Sequence, residues 1–238
     1  MYKIKPLILL LAIFFLAGCA QVRITGSGNV VTQEEAITGF DKVDISQSFS
    51  VDITQGENFR VVIRVDDNLV EHLNIVKQGS TLKIELKPNR SYTILNATME
   101  AEVTMPELVG LDLSGNSDAN ISGFESAKSL VVDLSGNSGL RGDIQAGDTS
   151  IDVSGNSSTT LSGSAGDVSV SASGSSDVDL TDFPASDGTV DASGASSVTV
   201  NLSGRLDADA SGSSDIYYLG DPEIGKIDTS GSSSIQPK

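Results

Sequence analysis

Six aspartates recur at nearly even intervals through the second half of the chain, and their type and spacing could support chemistry together. They are Asp112, Asp133, Asp152, Asp191, Asp209 and Asp228. Each follows an apolar residue and, except for Asp228, also precedes one, so a strand would place the carboxylate and its neighbours on opposite faces. If such strands stack, the carboxylates lie about 5 Å apart. Like charges at that spacing repel, which favours bound cations or raised pKa values.

This aspartate column admits three interpretations. Calcium could bridge it, but the Gly-Gly-x-Gly-x-Asp repeat of calcium-binding β-helices is missing and Ser171 interrupts the column. The acidic groups could serve a carbohydrate-active enzyme, but the chain has no Trp and little Arg or Lys beside the column to hold an anionic sugar. The third interpretation is a solvated face that resists aggregation. We favour the third and expect neither a metal nor another cofactor, with calcium binding as the alternative.

The remaining side chains suggest no active site. His72 is the only histidine, and neither a second histidine nor a nearby cysteine is available to complete a zinc site. No serine lies in a Gly-x-Ser-x-Gly elbow, and a Ser-His-Asp triad would have to recruit His72 from the less regular half of the chain. The glycines recur with the repeat instead of preceding a helix, unlike those of phosphate-binding loops. We expect no catalytic residues and a structural role for His72.

The first residues predict export and a lipid attached at Cys19. Lys3 and Lys5 precede an apolar run at 7–16, which is too short to span a ~30 Å hydrocarbon core but fits a signal peptide. The run ends in Leu-Ala-Gly-Cys at 16–19, which resembles the bacterial lipobox. In proteins with that motif the chain is cleaved before the cysteine, the thiol carries a diacylglycerol and the new amine is acylated. An ordinary secreted protein with an incidental Cys19 is the alternative.

The chain without residues 1–18 is strongly acidic. It has 32 acidic residues and 15 basic ones, and the leader contains two of the basic residues, which leaves 13 and a net charge of about −19. A polyanion of this kind does not bind nucleic acid or anionic headgroups through its overall charge. Because Cys19 is the sole cysteine, no intramolecular disulfide is expected.

From residue 111 onward the tetrapeptide Ser-Gly-x-Ser recurs every 18 to 21 residues. Its glycines are Gly115, Gly136, Gly155, Gly174, Gly194, Gly212 and Gly231. An apolar-Asp-apolar strand usually comes just before each copy, and an apolar residue or Thr returns shortly after it. Glycine permits a positive φ and serine hydroxyls bind nearby backbone groups, so the tetrapeptide predicts a tight turn between two strands. A second glycine-containing turn is predicted to close the unit, at Gly123, Gly142, Gly163 and Gly204.

Units of this length cannot bury an apolar face alone, so they must stack on one another. The sequence therefore predicts an all-β protein whose regular part is a single-stranded parallel β-helix with about 19–20 residues per coil. Seven coils would form a column of roughly 34 Å. A leucine-rich repeat is the alternative, because Asn116, Asn137 and Asn156 fit part of its consensus, but later copies lose the Asn and a unit has no room for a helix. The inward residue before the turn shrinks from Leu113 to Ala210, so later coils are expected to be thinner.

Before Pro106 the pattern is less regular. Strand-like runs occupy 59–65 and 82–86, and residues 66–73 could form one helical turn. Residues 43–48 are a degenerate copy of the later repeat, so the column could begin there. The predicted organisation is a signal peptide at 1–18, a lipidated N-terminus and lead at 19–37, an irregular β-rich part at 38–106 and regular β-helix repeats at 107–238.

The order of several modest motifs resembles that of one bacterial family. Gly-Phe-Asp-Lys-Val at 39–43, Asp-Asp-Asn-Leu at 66–69, a Gly-x-x-Leu hairpin at 79–82 and the Ser-Gly-x-Ser coils together resemble the putative adhesin family with the head GIN domain, over residues 38–235. The resemblance implies a right-handed single-stranded β-helix, often carried on a bacterial lipoprotein, and the handedness rests on it alone. The family has no established activity, so no functional residues carry over.

Together these features predict a non-enzymatic lipoprotein, an adhesin-like or scaffold module that binds a protein or glycan partner in the cell envelope. The expected location is the outer membrane, facing the periplasm or the cell surface, because Ala20 and not Asp follows Cys19. No nucleic-acid partner is expected. A carbohydrate-active β-helix enzyme is the alternative, and a periplasmic envelope accessory protein is a further one. The uniform small residues on every coil favour the scaffold, since an enzyme needs a groove with clustered carboxylates and basic or aromatic subsites.

Overall fold

The computed structural model describes residues 21–238, and nearly all of its regular structure is β-strand. The predicted signal peptide and Cys19 lie outside this range. In the described part the one helix is a short 3-10 helix, η1, at Asp67–His72, which matches the predicted helical turn. Within residues 21–238 no helix is long and apolar enough to cross a membrane. The prediction of an all-β fold is confirmed.

Most strands belong to two long sheets that share one core. The first sheet has, in spatial order, β6 (Leu73–Gln78), β7 (Thr81–Leu86), β3 (Lys42–Ile45), β10 (Gly110–Leu113), β12 (Leu130–Leu134), β14 (Thr149–Val153), β16 (Val168–Ala172), β18 (Gly188–Ala192), β20 (Arg205–Ala210) and β22 (Glu223–Thr229). The second sheet has β2 (Val30–Glu35), β5 (Arg60–Asp66), β9 (Met99–Met105), β4 (Ser50–Gln55), β11 (Asp118–Glu125), β13 (Gly139–Gln145), β15 (Ser158–Ser164), β17 (Asp177–Asp182), β19 (Ser197–Leu202), β21 (Asp215–Gly220) and β23 (Ser234–Pro237). A separate ribbon pairs β1 (Gln21–Thr25) with β8 (Ser91–Leu95).

From Gly110 onward the strands alternate between the two sheets, and each pairs in parallel with the strand two places later. In β12 the residues Leu130, Val132 and Leu134 are buried, whereas Val131 and Asp133 are exposed. This period-two pattern is the one expected for a strand with one buried face. The predicted stack of parallel β-helix coils is confirmed. We call the strand pairs β10–β11 to β22–β23 the array, residues 107–238, and the preceding part, residues 21–106, the head.

The tight turn of each coil requires glycine for two independent reasons. Gly155 has a φ of +79°, a backbone conformation that side chains disfavour. A Cβ placed on Gly155 would lie 2.4 Å from the carbonyl oxygen of Gly136 in the neighbouring coil. The second serine of the motif points inward, as Ser138 does, where its hydroxyl donates to the carbonyl of Ser135 at 2.9 Å. The turn prediction for Ser-Gly-x-Ser therefore holds.

The second turn of each coil differs from the prediction. Gly123, Gly142 and Gly163 lie inside β11, β13 and β15, and of the four proposed glycines Gly204 alone lies between strands. Gly123 has a φ of +79° at the point where the register of β11 against β13 shifts by one residue. An extra residue with positive φ produces a β-bulge, which bends the strand. Gly123 therefore bends strand β11 and does not form the second turn of the coil.

The predicted thinning of later coils is partly offset by the strand after the tight turn. The buried residue before the turn shrinks along the array, through Leu113, Leu134, Val153, Ala172, Ala192 and Ala210. The buried residue after the turn shows no such decline, since the later coils have Val178, Val198 and Ile216 where the first has Ala119. Because cores keep a nearly constant packing density, a larger side chain on one sheet fills space that a smaller one leaves on the other.

The stack of coils begins before the array, as the degenerate copy at 43–48 predicts. Val43, Asp44 and Ile45 of β3 lie in register with 111–113 of β10. At the place of the motif glycine stands Gln47, with a φ of +69°. The turn geometry is therefore retained without its glycine.

The chain order of the head departs from that of a simple solenoid. Strands β7 and β9 form a further coil on the far side of β3 and β4, although they come later in sequence. Beyond that coil the sheets end in antiparallel strands, with β6 against β7, β5 against β9 and β2 against β5. The segment predicted as a lead, 19–37, contains β1 and β2 of this structure. Strands were predicted within 38–106, but not their order or direction, and no strand was predicted within 19–37.

Candidate functional surface on the first sheet

The six predicted aspartates form one exposed column on the outer face of the first sheet. In register along the column are Asp112, Asp133, Asp152, Ser171, Asp191, Asp209 and Asp228. All seven side chains are exposed, because each occupies the outward position between two inward residues of its strand. We call this column, including Ser171, the Asp ladder. The prediction that these residues stack on an outer face is confirmed.

Lysines pair with the carboxylates at both ends of the column. Asp44 extends it into the head, in register with Asp112 on one side and Lys83 on the other. The Nζ of Lys83 lies 2.6 Å from Oδ2 of Asp44. At the far end Nζ of Lys226 lies 2.7 Å from Oδ2 of Asp228. The degenerate repeat at 43–48 indicated Asp44, but no sequence pattern indicated Lys83, whose strand joins the column out of chain order.

Repulsion within the Asp ladder is strongest near the head. Partial burial, followed by the charges of Asp44 and Asp133, raises the pKa of Asp112 above its ordinary value. Partial burial and then the charge of Asp152 raise the pKa of Asp133. The hydrogen bond to Asp44 raises the pKa of Lys83, so that lysine remains charged. Protonation of Asp112 and Asp133 is therefore easier than that of an isolated aspartate.

A second column beside the Asp ladder carries small and hydroxyl side chains. Its members, in register, are Gly110, Val131, Ser150, Ser169 and Thr189. The missing side chain at Gly110 leaves a shallow depression of about 300 Å³, whose lining includes two lysines and three aspartates, Lys42, Lys83, Asp44, Asp112 and Asp133. Hydroxyls and carboxylates in flat parallel rows can exchange hydrogen bonds with an extended polar ligand.

The described residues contain no group of three or more His, Cys, Asp or Glu side chains that converge as metal ligands. Calcium normally takes six to eight oxygen ligands. An ion on the Asp ladder would thus depend on two adjacent carboxylates and water. The expectation of no metal and the alternative of calcium at these six aspartates both remain predictions, and the predicted lipid site at Cys19 lies outside the described residues.

Two further ladders run along the turns. Amide side chains stack in the first, where Asn137 donates to Asn116 at 2.9 Å and Asn156 donates to Asn137 at 2.8 Å. In the second, each carboxylate accepts the backbone N–H of the next coil, at Asp148, Asp167 and Asp187. The period of one coil between these aspartates was visible in the sequence. Their role is to bind the coils together, since their oxygens are engaged by the backbone.

His72 is placed as a structural residue in the head. Its side chain is largely buried, and its ring lies edge-on to that of Tyr92, with 5.8 Å between the ring centroids. Its Nε2 lies 3.8 Å from a carboxylate oxygen of Glu71. The aromatic contact joins the end of η1 to β8, which agrees with the packing role expected for this histidine.

The family comparison agrees with the motif order. Residues 39–222 match the sequence model of the family described as putative auto-transporter adhesin, head GIN domain. Among curated protein sequences, none matches this chain significantly.

Solved structures with the same fold include proteins from Bacteroides and Parabacteroides species. A putative adhesin from Bacteroides fragilis superposes with a TM-score of 0.81 at 20% identity, covering 90% of this chain and 100% of that one. A putative lipid binding protein from Parabacteroides distasonis has a TM-score of 0.72 at 24% identity, covering 91% and 100%. A putative adhesin from Parabacteroides merdae has a TM-score of 0.66 at 18% identity, covering 91% and 99%. At these identities the likeness establishes the fold alone.

Proposed function

This chain belongs to the putative auto-transporter adhesin family with a head GIN domain, and we propose that it is a membrane-anchored, non-catalytic lipoprotein of the bacterial envelope. In this proposal a lipid on Cys19 holds it at the outer membrane, facing the periplasm or the cell surface. The solenoid then acts as an adhesin-like scaffold whose outer face binds a glycan or protein partner.

The observation that supports a scaffold is the uniformity of the first sheet. The carboxylates of the Asp ladder and, beside them, the hydroxyls of Ser150, Ser169 and Thr189 recur at multiples of about 4.8 Å. Such a surface offers many equivalent weak contacts in a line, which suits an extended ligand with regularly spaced hydroxyl or amide groups. Several modest contacts held on one rigid frame add up through multivalency.

The lipid anchor is supported by the sequence that directly precedes β1. Leu-Ala-Gly-Cys at 16–19 closes a signal-like apolar run. A protein with two or three acyl chains binds a bilayer stably, whereas one chain gives marginal binding.

Replacement of Cys19 by Ser tests the anchor. The variant is expected to leave the membrane fraction while its melting temperature, measured on solubilised protein, stays unchanged, because no described contact depends on residue 19. Fractionation of cells that express both forms measures this. A Cys19→Ser protein that still sediments with membranes would contradict lipid anchoring.

A glycan array with the detergent-solubilised protein tests the ligand class. We expect binding to a subset of glycans, and we expect the double variant Asp152→Asn with Asp191→Asn to reduce it by more than about tenfold, since hydrogen bonds to charged groups contribute about 1.5–3 kcal/mol each. The matched control is Asp118→Asn with Asp177→Asn, which removes the same charge from exposed positions on the second sheet. Equal losses in both double variants would remove the assignment to the first sheet.

A further inference from the structure

The ribbon of β1 and β8 fixes the chain to the head almost from the predicted anchor onward. Register pairing runs from Gln21 beside Ser91 to Thr25 beside Leu95. The Nδ2 of Asn68 donates to the carbonyl of Thr25 at 2.9 Å, and Ile24 is buried in the core. The ribbon thus belongs to the folded head and does not act as a flexible tether.

A buried carboxylate secures the chain where it leaves the ribbon. Asp66 is 1% exposed and accepts the backbone N–H groups of Gly28 at 2.5 Å and Thr98 at 2.6 Å. Its neighbour Asp67 accepts from the hydroxyl of Ser27 at 2.6 Å. These bonds join the segment after β1, the start of η1 and the segment after β8 into one rigid unit.

The anchor is therefore close to a defined surface. Cys19 and Gln21 are two residues apart, so at most about 7 Å of chain separates them. A lipid on Cys19 would hold the Gln21 end of the ribbon at the level of the phospholipid headgroups, and the head with it.

The two segments that form the ribbon and its flanks, 20–33 and 86–99, differ in charge from the array, although the exposed carboxylate of Asp67 contacts Ser27 and Asn29 there. Neither 20–33 nor 86–99 contains an acidic residue. Instead they carry three basic side chains, and these are exposed, at Arg23, Lys87 and Arg90. The array, by contrast, has 20 acidic and 5 basic residues. An anionic leaflet attracts Lys and Arg side chains close to its surface and repels acidic ones.

We propose that the β1–β8 ribbon is a foot that rests on anionic phospholipid headgroups, so that the head lies at the membrane and the array projects away from it. This proposal rests on the lipid anchor proposed above. In the first sheet β22 lies eight inter-strand steps from β7, or about 38 Å. The Asp ladder then extends from near the membrane into the surrounding solvent, where a partner can reach it along its length.

Two single-cysteine variants of the full-length lipoprotein test the orientation. Lipidation blocks Cys19, so a fluorophore attaches only to Ser91→Cys, beside the foot, or to Ser232→Cys, in the last turn. Both serines are exposed. In vesicles of phosphatidylethanolamine and phosphatidylglycerol with headgroup spin labels, we expect quenching about threefold or more stronger at residue 91, because residue 232 lies tens of ångströms away. Equal quenching, or stronger quenching at residue 232, would overturn the proposal.

A charge-reversal pair tests the contact with headgroups. Lys87→Glu with Arg90→Glu should reduce quenching at residue 91 by about half or more at low salt and by less at high salt, since salt screens these charges. The matched control, Arg141→Glu with Lys238→Glu, makes the same charge change in the array and should have no effect. Quenching that is unaffected by either pair would overturn the headgroup contact. If the parent protein does not float with vesicles, the lipid anchor itself fails, whereas flotation with equal quenching overturns the foot alone.

Discussion

The head and the array share two continuous sheets, but they reach stability by different means. In the array every coil contacts only its neighbours and repeats one turn, so register is set by stacked glycines and by ladders of like side chains. In the head the chain doubles back, antiparallel strands close the column, and buried polar contacts such as that of Asp66 join distant segments. The head carries 12 acidic and 8 basic residues and the array 20 and 5. The comparison indicates that the antiparallel strands that close the column are concentrated in the head, and a repetitive acidic surface in the array.

Changing Gly155 to Val should have the largest effect and should break the array at one turn. The valine side chain would clash with the carbonyl of Gly136 in the neighbouring coil. The turn would also require a positive φ at this β-branched residue. We expect a loss of about 3 kcal/mol or more, from backbone strain of 1–3 kcal/mol plus the steric clash. Thermal unfolding followed by far-UV circular dichroism measures it.

The head provides the control for this prediction. Gly79 also has a positive φ, +64°, but no atom lies within 4 Å of a Cβ placed there. Gly79→Ala should therefore cost only about 1–2 kcal/mol, the strain of the backbone alone, and Gly155→Ala should cost more. Equal losses for the two alanine variants would show that stacking of the turns is not what requires glycine in the array.

Removing the Asp66 carboxylate should have the next largest effect, confined to the head. Asp66→Ala removes the buried carboxylate that accepts the N–H groups of Gly28 and Thr98, and hydrogen bonds to charged groups contribute about 1.5–3 kcal/mol each. We expect a loss of about 2–4 kcal/mol and faster proteolysis before residue 36, where β1 and β2 lie. Glu57→Ala, which removes an exposed head carboxylate from the turn between β4 and β5, is the control and should change proteolysis much less. If Asp66→Ala were cleaved at the same rate as the parent protein, the Asp66 carboxylate would not be what holds the β1–β8 ribbon in place.

The regularity of the array explains why its fold could be predicted and that of the head could not. The same local sequence pattern recurs in each coil. The alternation around Asp133 and the turn at Gly136 could therefore be assigned in one coil and checked in the next. The same period was present in Asp148, Asp167 and Asp187, which shows that the prediction could have gone further. In the head β7 joins β3 out of chain order, and no local pattern encodes such a long-range choice.

The same division applies to the candidate surface: the parts within the array were predictable, and the contacts made by the head were not. The Asp ladder follows from period two along a strand and one coil between strands. Its pairing with Lys83 depends on the inverted chain order, and that with Lys226 on a side-chain conformation at the last coil. The ribbon of β1 and β8 joins segments about seventy residues apart, so Gln21–Thr25 gave no sign of its partner.

A smaller effect is expected from charge changes in the Asp ladder. The pKa of Asp112 is higher in the folded state than the ordinary value, first because of burial and then because of Asp44 and Asp133. The ionised group therefore lowers stability as pH rises through its usual range near 4 and above. Asp112→Asn should raise stability at pH 7 by up to ~1 kcal/mol, as expected for like charges directly opposite one another, and the gain should vanish at pH 3.

The reverse change and a second-sheet control sharpen this test. Ser171→Asp fills the gap between Asp152 and Asp191 and should lower the melting temperature at pH 7, less so in high salt. Asp118→Asn removes a carboxylate whose partners in register are Ser50 and Gly139, so it should change stability little. Stability curves against pH for the three variants measure this. A gain for Asp118→Asn equal to that for Asp112→Asn would attribute the effect to net charge and not to the ladder.

Calcium should have the smallest effect of all. The Asp ladder is a flat row in which one ion can reach two carboxylates, far fewer than the six to eight oxygens that calcium prefers. Titration at physiological salt should give no saturable heat and no change in melting temperature beyond that of sodium chloride at equal ionic strength. Saturable heat that disappears in an Asp133→Asn and Asp152→Asn double variant would contradict this. The ladder would then be a cation-binding face, and the difference between head and array would include metal binding as well as charge.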